Sequence, residues 1–208
     1  MTAFRIIADQ AARIELPRSI VDLAKKRFKD VYEMKILKGR NNAAISAACI
    51  FIACREQGVP RSFKEIVVIS RVPKKEIAKC FKKIYENIKI NDKPAGNSES
   101  DYIARFCDRL NLQTDVTMLA QKIADKVKEI DVAAGRNPLG ISASAIFMAV
   151  HMKRKDGEIA SMKDISDVCG IADSTAKQTC KLMLARYKDL VPAEGNFSAN
   201  KNQLEAML

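Results

Sequence analysis

The chain contains the same pattern of residues twice. When residues 16–55 are shifted by 96 positions, they align without a gap on residues 112–151, and 15 of the 40 residues are identical. With three further residues in the offset, the match continues from Phe63–Ile66 onto Met162–Ile165. Each copy spans roughly 85–90 residues, which is longer than a solenoid repeat and long enough to enclose its own core. The sequence therefore predicts two tandem copies of one domain.

Apolar residues recur at helical spacing in both copies, and the segments between them are polar or contain glycine and proline. The predicted helices cover 2–14, 17–34, 43–55, 63–69 and 73–88 in the first copy and 101–110, 113–131, 138–153, 161–168 and 173–187 in the second. The predicted domains are 1–90 and 101–190. We expect a linker at 91–100 and a loose or weakly docked tail at 191–208. The fold class is all-α, with an apolar central helix in each domain.

Charge is distributed unevenly between the copies. Residues 1–90 carry 20 Lys and Arg against 9 Asp and Glu, whereas residues 91–208 carry 16 of each. The whole net charge of +11 therefore lies in the first copy. This favours an anionic partner such as a phosphate backbone or an acidic protein surface. Ordinary solvated, lysine-rich helix faces are the alternative.

Signals for an enzyme, a metal site or a membrane span are poor. No apolar run reaches the roughly 18 residues that a membrane span needs, and no secretory signal is visible. The six cysteines contain no Cys-x-x-Cys pair, so we expect buried free thiols and no cofactor. The single histidine, His151, ends an apolar helix and is expected to be a surface or half-buried structural residue. We find no catalytic constellation and predict that the chain is not an enzyme.

In each copy the last two predicted helices form a short helix, a turn and a longer helix, which is the layout of a helix-turn-helix. In the second copy Asp173 is the predicted cap, and the candidate DNA-binding residues after it are Ser174, Thr175, Lys177 and Gln178. These side chain types contact base edges in a major groove. The layout also occurs in helical domains that bind no DNA.

The equivalent positions of the first copy are basic instead. Arg71 lies in the turn, and Lys74, Lys75 and Lys79 follow in the last helix. This cluster suits an acidic protein surface better than a base-reading role. An exposed helix start without a partner is the alternative.

A loop in the first copy is the other candidate DNA contact. It consists of Lys38, Gly39, Arg40 and Asn41, and Gly-Arg-Asn recurs at 135–137 in the second copy. Arginine beside glycine allows the cation and the backbone to approach a phosphate or a minor groove closely. The alternative is that the glycine of this loop only ends the preceding helix and contacts no DNA.

Several segments together closely resemble the core of the eukaryotic general transcription factor IIB family. They are Leu16–Pro17, Leu37–Arg40 and Ala47–Ile66, and the likeness covers about residues 2–190. The resemblance implies two cyclin-like domains of five helices each. It implies a monomer in the nucleus that binds the TATA-binding protein on promoter DNA and recruits RNA polymerase II. It also implies that Arg71, Lys74, Lys75 and Lys79 contact the TATA-binding protein, and that the Gly39–Arg40 loop contacts DNA downstream of TATA.

This sequence departs from the family pattern in two ways. Many members have Val-Thr-x-Arg in the second recognition helix, where this chain has Ser174, Thr175, Ala176 and Lys177. Because lysine lacks the two-pronged geometry of arginine, we expect DNA contact with altered or weakened base preference. The N-terminal zinc ribbon of the family is also absent, so we expect the sequence to begin inside a longer protein.

Two other functions remain open from the sequence. One is a cyclin-type regulatory subunit that binds and activates a protein kinase with the same fold. The other is the related factor that serves RNA polymerase III, which differs mainly in its partners. The basic residues Arg71, Lys74 and Lys75 at the end of the first copy argue against a kinase-facing groove, and the close match over Ala47–Ile66 disfavours the polymerase III factor.

Overall fold

The structure is a computed structural model, and it describes residues 2–59, 61–90, 99–153, 160–191 and 200–208. The chain separates into two compact units, Met1–Asn97 and Ser98–Leu208. All regular elements of the described ranges are helices. None of the helices in these ranges is long and apolar enough to cross a membrane. Most of the predicted linker, residues 91–98, lies outside the described residues.

The first unit contains five helices around a central one. They are α1 (Thr2–Ala12), α2 (Arg18–Glu33), α3 (Asn42–Glu56), α4 (Phe63–Ser70) and α5 (Lys74–Asn87). Helix α3 packs against each of the other four, and nearly all of its side chains are buried. The prediction of a central apolar helix over 43–55 is therefore confirmed, because a helix with no polar face must be enclosed.

Polar side chains cap the starts of several helices where the sequence indicates. Ser62 and Glu65 form a capping box at the start of α4, and Ser161 and Asp164 form another at the start of the corresponding helix in the second unit. Asn41 caps α3 by accepting a hydrogen bond from the N–H of Ala43 at 2.9 Å.

The second unit repeats this plan around helix α8. Its helices are α6 (Glu99–Arg109), α7 (Thr114–Glu129), α8 (Pro138–Lys153), α9 (Met162–Cys169), α10 (Asp173–Ala185), α11 (Tyr187–Leu190) and α12 (Lys201–Ala206). Helix α8 is buried along most of its length and packs against α6, α7, α9 and α10. The first five helices of the unit correspond to those of the first.

Two short helices lie towards the end of the chain. Residues 200–208, expected to be loose or weakly docked, include α12, and its Leu204 is fully buried in the second core. Leu190 in α11 is also buried. The sequence did not indicate α12, because a six-residue helix that buries one leucine shows no period in the sequence.

Candidate nucleic-acid and protein interface

Local hydrogen bonds fix the turn between α4 and α5. Arg71 ends α4 in the left-handed conformation, with a φ of 55°, and its N–H donates to the carbonyl of Val67. The hydroxyl of Ser70 donates to the Ile66 carbonyl at 2.7 Å and accepts from the N–H of Val72 at 3.2 Å. The direction in which the chain leaves α4 is therefore set by the turn itself.

Arg13 ties the same turn to the first helix of the unit. Its Nη1 donates to the carbonyl of Ile69 at 2.8 Å, which satisfies one of the free carbonyls at the end of α4. Sequence reasoning did not identify this residue. No sequence pattern signals such a bond, because the acceptor is a backbone carbonyl 56 residues away.

The structure brings the predicted basic residues of the first copy to one corner. Arg71, Lys74, Lys75 and Lys79 are all exposed, and none forms an ion pair with any described residue. Lys79 lies one helical turn beyond Lys75, on the same side of α5. The ammonium of Lys74 lies 5.9 Å from the centre of the Phe63 ring. We call these four residues the basic corner.

The basic corner is electrostatically costly for the free protein. Lys74 and Lys75 occupy the first turn of α5, where the helix dipole disfavours positive charge. Glu76 lies in the same turn and offsets part of this cost, but the four cations remain in excess and repel one another. An anionic partner removes both costs, so the arrangement fits a binding surface better than a stabilising feature.

The glycine loop, Lys38–Asn41, connects α2 to α3 and is exposed throughout. Gly39 has a φ of 79°, which favours glycine, and a Cβ added there would meet nothing within 4 Å. The backbone is therefore open to a ligand on this side. The side-chain oxygen of Asn41 is occupied by the cap of α3, so its amide nitrogen is the group left to donate outward.

The predicted DNA-binding residues of the second copy lie at the start of α10. Ser174, Thr175 and Gln178 are exposed, whereas Lys177 is half-buried. The predicted cap at Asp173 is wrong by one position, because Ala172 is the N-cap and Asp173 is the first helical residue. Asp173 therefore lies within the candidate site, and its carboxylate is 3.3 Å from the ammonium of Lys177.

Close packing on α8 fixes the first turns of α10. The hydroxyl of Ser144 donates to the carbonyl of Gly140 at 2.8 Å and lies 3.2 Å from the carbonyl of Ala176, an alternative acceptor for the same proton. A Cβ added at Gly140 would lie 3.1 Å from the Thr179 hydroxyl, which itself donates to Thr175. The backbone of the candidate DNA-reading turn is thus held from behind by a buried helix.

Releasing Lys177 from Asp173 is expected to strengthen DNA binding. Asp173→Asn removes an anion from the candidate DNA-contacting surface and frees one cation. We expect about three- to tenfold tighter binding to TATA-flanking duplex in the presence of the TATA-binding protein, and a log–log salt slope steeper by about one.

Fluorescence anisotropy over a range of salt concentrations measures both quantities. Asp189→Asn is the matched control, since it frees Arg186 from an exposed ion pair outside the start of α10. Equal gains in both variants would show that only net charge matters. When Lys177→Arg is added to the Asp173→Asn variant, the base preference is expected to change as well.

The buried titratable groups offer no chemistry at these surfaces. None of the six cysteines forms a disulfide, all six are buried, and burial raises the pKa of Cys180 to about 12. Among the described residues, no three His, Cys, Asp or Glu side chains are grouped as a metal site would require. His151 is buried rather than surface or half-buried, at 8% exposure, and its ring centre lies 4.3 Å from that of Phe147.

His151 is expected to make the stability of the second unit sensitive to mild acid. Neither ring nitrogen has a hydrogen-bond partner in the described part of the chain, and burial lowers the pKa of the imidazole. Below about pH 6.5 the unfolded chain therefore binds a proton that the folded unit resists. Its free energy of unfolding falls by up to about 1.4 kcal/mol per pH unit until the lowered pKa is reached. In the His151→Gln variant, the stability of the second unit, measured as protection of α8 against hydrogen exchange, should depend less on pH between pH 7 and pH 5. An equal loss of this stability in the variant and in the unmodified chain would contradict the prediction.

Comparison with known proteins identifies related sequences. The family model described as transcription factor TFIIB repeat matches residues 1–87 and 93–186. Transcription initiation factor IIB of Xenopus laevis and that of Homo sapiens are each 43% identical over 204 residues, which is 98% of this chain and 63% of the relative. The Drosophila melanogaster factor is 40% identical over 207 residues, 100% of this chain and 64% of the relative.

The chain thus spans about 63% of the length of the first of these relatives. Among solved structures, the yeast RNA Pol II CTD kinase CTDK-1 complex matches with a TM-score of 0.43 and 11% identity, covering 99% of this chain and 73% of that chain. A score this low supports no functional argument. Both repeats match the family model and the identity to several relatives exceeds 40%, so the chain belongs to the transcription factor TFIIB family, with two cyclin-like repeats.

Proposed function

We propose that this chain is the core of a general transcription initiation factor, and that it assembles on promoter DNA in the nucleus without catalysing a reaction. In this role it binds the complex of the TATA-binding protein with its DNA, contacts DNA on either side of the TATA element, and bridges to RNA polymerase II. Membership of the transcription factor TFIIB family supports the general role.

The basic corner is the observation that carries the proposal. Arg71, Lys74, Lys75 and Lys79 are exposed, have no acidic partner among the described residues, and lie on a turn that is held rigid from within. A rigid surface with an excess of cations, here four cations against Glu76, loses little entropy on binding and attracts an acidic protein over a distance. We assign this surface to an acidic face of the TATA-binding protein.

The glycine loop and the start of α10 are assigned to DNA. Lys38 and Arg40 supply charge beside an open backbone at Gly39, which suits phosphate or minor-groove contact and carries little sequence information. Ser174, Thr175 and Gln178 present hydroxyl and amide groups that suit base edges. One element of each unit thus contacts DNA, and we expect weak base preference because Lys177 is paired with Asp173.

An electrophoretic mobility shift on TATA-box duplex, with and without TATA-binding protein, tests the proposal. We expect a slower band that forms only when both proteins are present, at about 50 mM salt, and that weakens at about 200 mM. A duplex with a scrambled TATA element is the control. Failure to form this band at either salt concentration would remove the promoter role for this chain and favour a cyclin-type regulator of a protein kinase.

A further inference from the structure

A continuous row of aromatic rings leads from the core of the first unit to its surface. Phe51 of α3 is buried, and its ring centre lies 4.3 Å from that of Phe63 in α4 and 5.3 Å from that of Phe81 in α5. Phe63 and Phe81 are half-buried. The ring of Phe81 is followed at 5.6 Å by that of Tyr85, which is 47% exposed. We call Phe63, Phe81 and Tyr85 the ring surface.

The ring surface is held in place from behind. The ring of Phe81 meets those of Phe51 and Phe63 nearly at right angles, at 79° and 88°, which is an arrangement that aromatic pairs favour. Phe81 and Tyr85 are four residues apart in α5 and therefore lie on the same side of that helix. A partner that covers these rings thus loses little entropy by ordering them.

Two cations lie against the rings themselves. The ammonium of Lys74 is 5.9 Å from the centre of the Phe63 ring, and the guanidinium carbon of Arg55 is 5.8 Å from the centre of the Phe81 ring. At these distances each cation is attracted to the face of its ring. Positive charge is thus placed directly beside flat apolar groups, which suits a ligand in which flat and anionic groups alternate.

A third cation lies on the outer side of the ring surface. Lys82 follows Phe81 in α5, and its side chain is 79% exposed. Eight residues of helix separate it from Lys74, which is a distance of roughly 12 Å along the axis. The carboxylate of Glu86 lies 3.9 Å from the ammonium of Lys82, but an exposed ion pair of this length is weak. Positive charge therefore remains in excess around the rings.

The combination favours a single nucleic-acid strand. Exposed aromatic rings stack with bases of any kind, and nearby lysines pair with the phosphates between those bases. A duplex exposes its phosphates and the edges of its bases, whereas the faces of the bases are stacked inside. An acidic peptide would need a concave pocket to bury an apolar side chain, and the pocket found beside the glycine loop is lined by none of these rings.

We propose that the ring surface binds single-stranded DNA that runs along α5. One base stacks on Tyr85, and the next lies over Phe63 and Phe81. The phosphates of this stretch pair with Lys82 and Lys74. None of these residues belongs to the glycine loop or to the start of α10, which are assigned to duplex DNA. The choice of DNA over RNA rests on the proposed promoter function, whereas the binding of a single strand does not.

The single strand and the TATA-binding protein share one cation. Lys74 belongs both to the site at the ring surface and to the basic corner. A phosphate and a carboxylate cannot both pair fully with one ammonium. The two ligands therefore compete, and each weakens the binding of the other by the same factor.

The direct test uses the 208-residue chain without the TATA-binding protein, because that partner competes for Lys74. The probe is a fluorescein-labelled oligothymidine of about 12 nucleotides, titrated by anisotropy at about 50 mM salt. We expect saturable binding that weakens about tenfold in Tyr85→Ala and changes by less than about twofold in Tyr85→Phe, since the ring rather than the hydroxyl stacks.

A tryptophan reporter detects the stacking itself. The chain contains no tryptophan, so the Tyr85→Trp variant carries a single indole at the proposed contact. Its fluorescence should be quenched as unlabelled oligothymidine binds, and the affinity should stay within about twofold of that of the unmodified chain. Binding without quenching would place the strand elsewhere and overturn the proposal.

Matched controls separate stacking from general attraction. Tyr32→Ala removes a tyrosine of the same unit that is 76% exposed and lies among lysines, and it should change the affinity by less than about twofold. Lys82→Ala should make the log–log salt dependence shallower by about 0.7, the value for one phosphate of a single strand. Lys26→Ala, at an exposed position of α2, should leave the salt dependence unchanged.

Three further outcomes contradict the proposal. Equal losses in Tyr85→Ala and Tyr32→Ala show that the ring surface is not the site. A duplex of oligothymidine with oligoadenine that displaces the probe as well as the single strand does shows charge attraction without stacking. Oligouridine that binds more tightly, with the same dependence on Tyr85, assigns the surface to RNA. Because the mobility shift on TATA duplex is a separate measurement, failure at the ring surface leaves the promoter role unaffected.

Discussion

Glu56→Ala is expected to destabilise the first unit by about 3–5 kcal/mol. Glu56 ends α3 with its side chain 5% exposed, and Arg27 of α2 donates to it through Nε at 2.9 Å and through Nη2. These hydrogen bonds raise the pKa of Arg27, so the guanidinium stays charged. Removing the carboxylate leaves the Arg27 guanidinium, whose side chain is only 12% exposed, with one partly exposed partner, Asp30, at 3.3 Å.

Hydrogen exchange measured by mass spectrometry reports each unit separately, which a global unfolding curve does not. Protection of α2 and α3 should fall while that of α8 is unchanged. Glu33→Ala is the control, because Glu33 pairs with Lys29 on the exposed side of α2 and should change stability by less than about 1 kcal/mol.

A double replacement tests whether the loss of stability in Glu56→Ala comes from the unpaired charge of Arg27 or from lost packing. Arg27→Met with Glu56→Met removes both charges, and we expect it to recover most of the stability, since a buried pair replaced by apolar groups is often neutral. If the double variant is as unstable as Glu56→Ala, packing rather than an unpaired charge is the cause.

Reversing two charges of the basic corner should weaken assembly on the promoter about a hundredfold. Lys74→Glu with Lys75→Glu changes the charge of the corner by four and sets like charges against an acidic face of the TATA-binding protein, which costs several kcal/mol. Both residues are exposed in the first turn of α5, where glutamate is favoured by the helix dipole. The variant should therefore fold at least as well as the unmodified chain.

The matched control is Arg5→Glu with Lys89→Glu, an equal charge change at exposed positions of the same unit outside the corner. Titration of each chain into preformed TATA-binding protein and TATA duplex measures the apparent affinity. A similar loss in both variants would mean that net charge, rather than the corner, governs assembly. An unchanged affinity in the Lys74, Lys75 variant would assign the TATA-binding protein to another surface.

The signals that predicted the fold act over a few residues. The near-continuous apolar stretch at 43–55 is sufficient to make α3 central, and the patterns beginning at Ser62 and Ser161 are sufficient to begin α4 and α9. A helix places residues three and four apart on one side, so such patterns depend little on the rest of the molecule. Because the two repeats align, each helix assigned in one unit predicts the equivalent helix in the other.

The candidate site was predicted in part. The exposure of Arg71, Lys74 and Lys75 could be expected from charge alone, although their roles stay a prediction. The pairing of Asp173 with Lys177 was missed, even though the four-residue spacing would have indicated it once Asp173 was assigned to the helix rather than to its cap.

The sequence by itself determined two all-helical repeats, their central helices and the location of the positive charge. Only the tertiary structure decided which distant groups meet: Arg27 with Glu56, Arg13 with the carbonyl of Ile69, and the ring of Phe51 with those of Phe63 and Phe81. The physical reason is that helical periodicity specifies which side of a helix is apolar. It does not specify which residue of a neighbouring helix lies opposite, because that depends on packing over the whole unit.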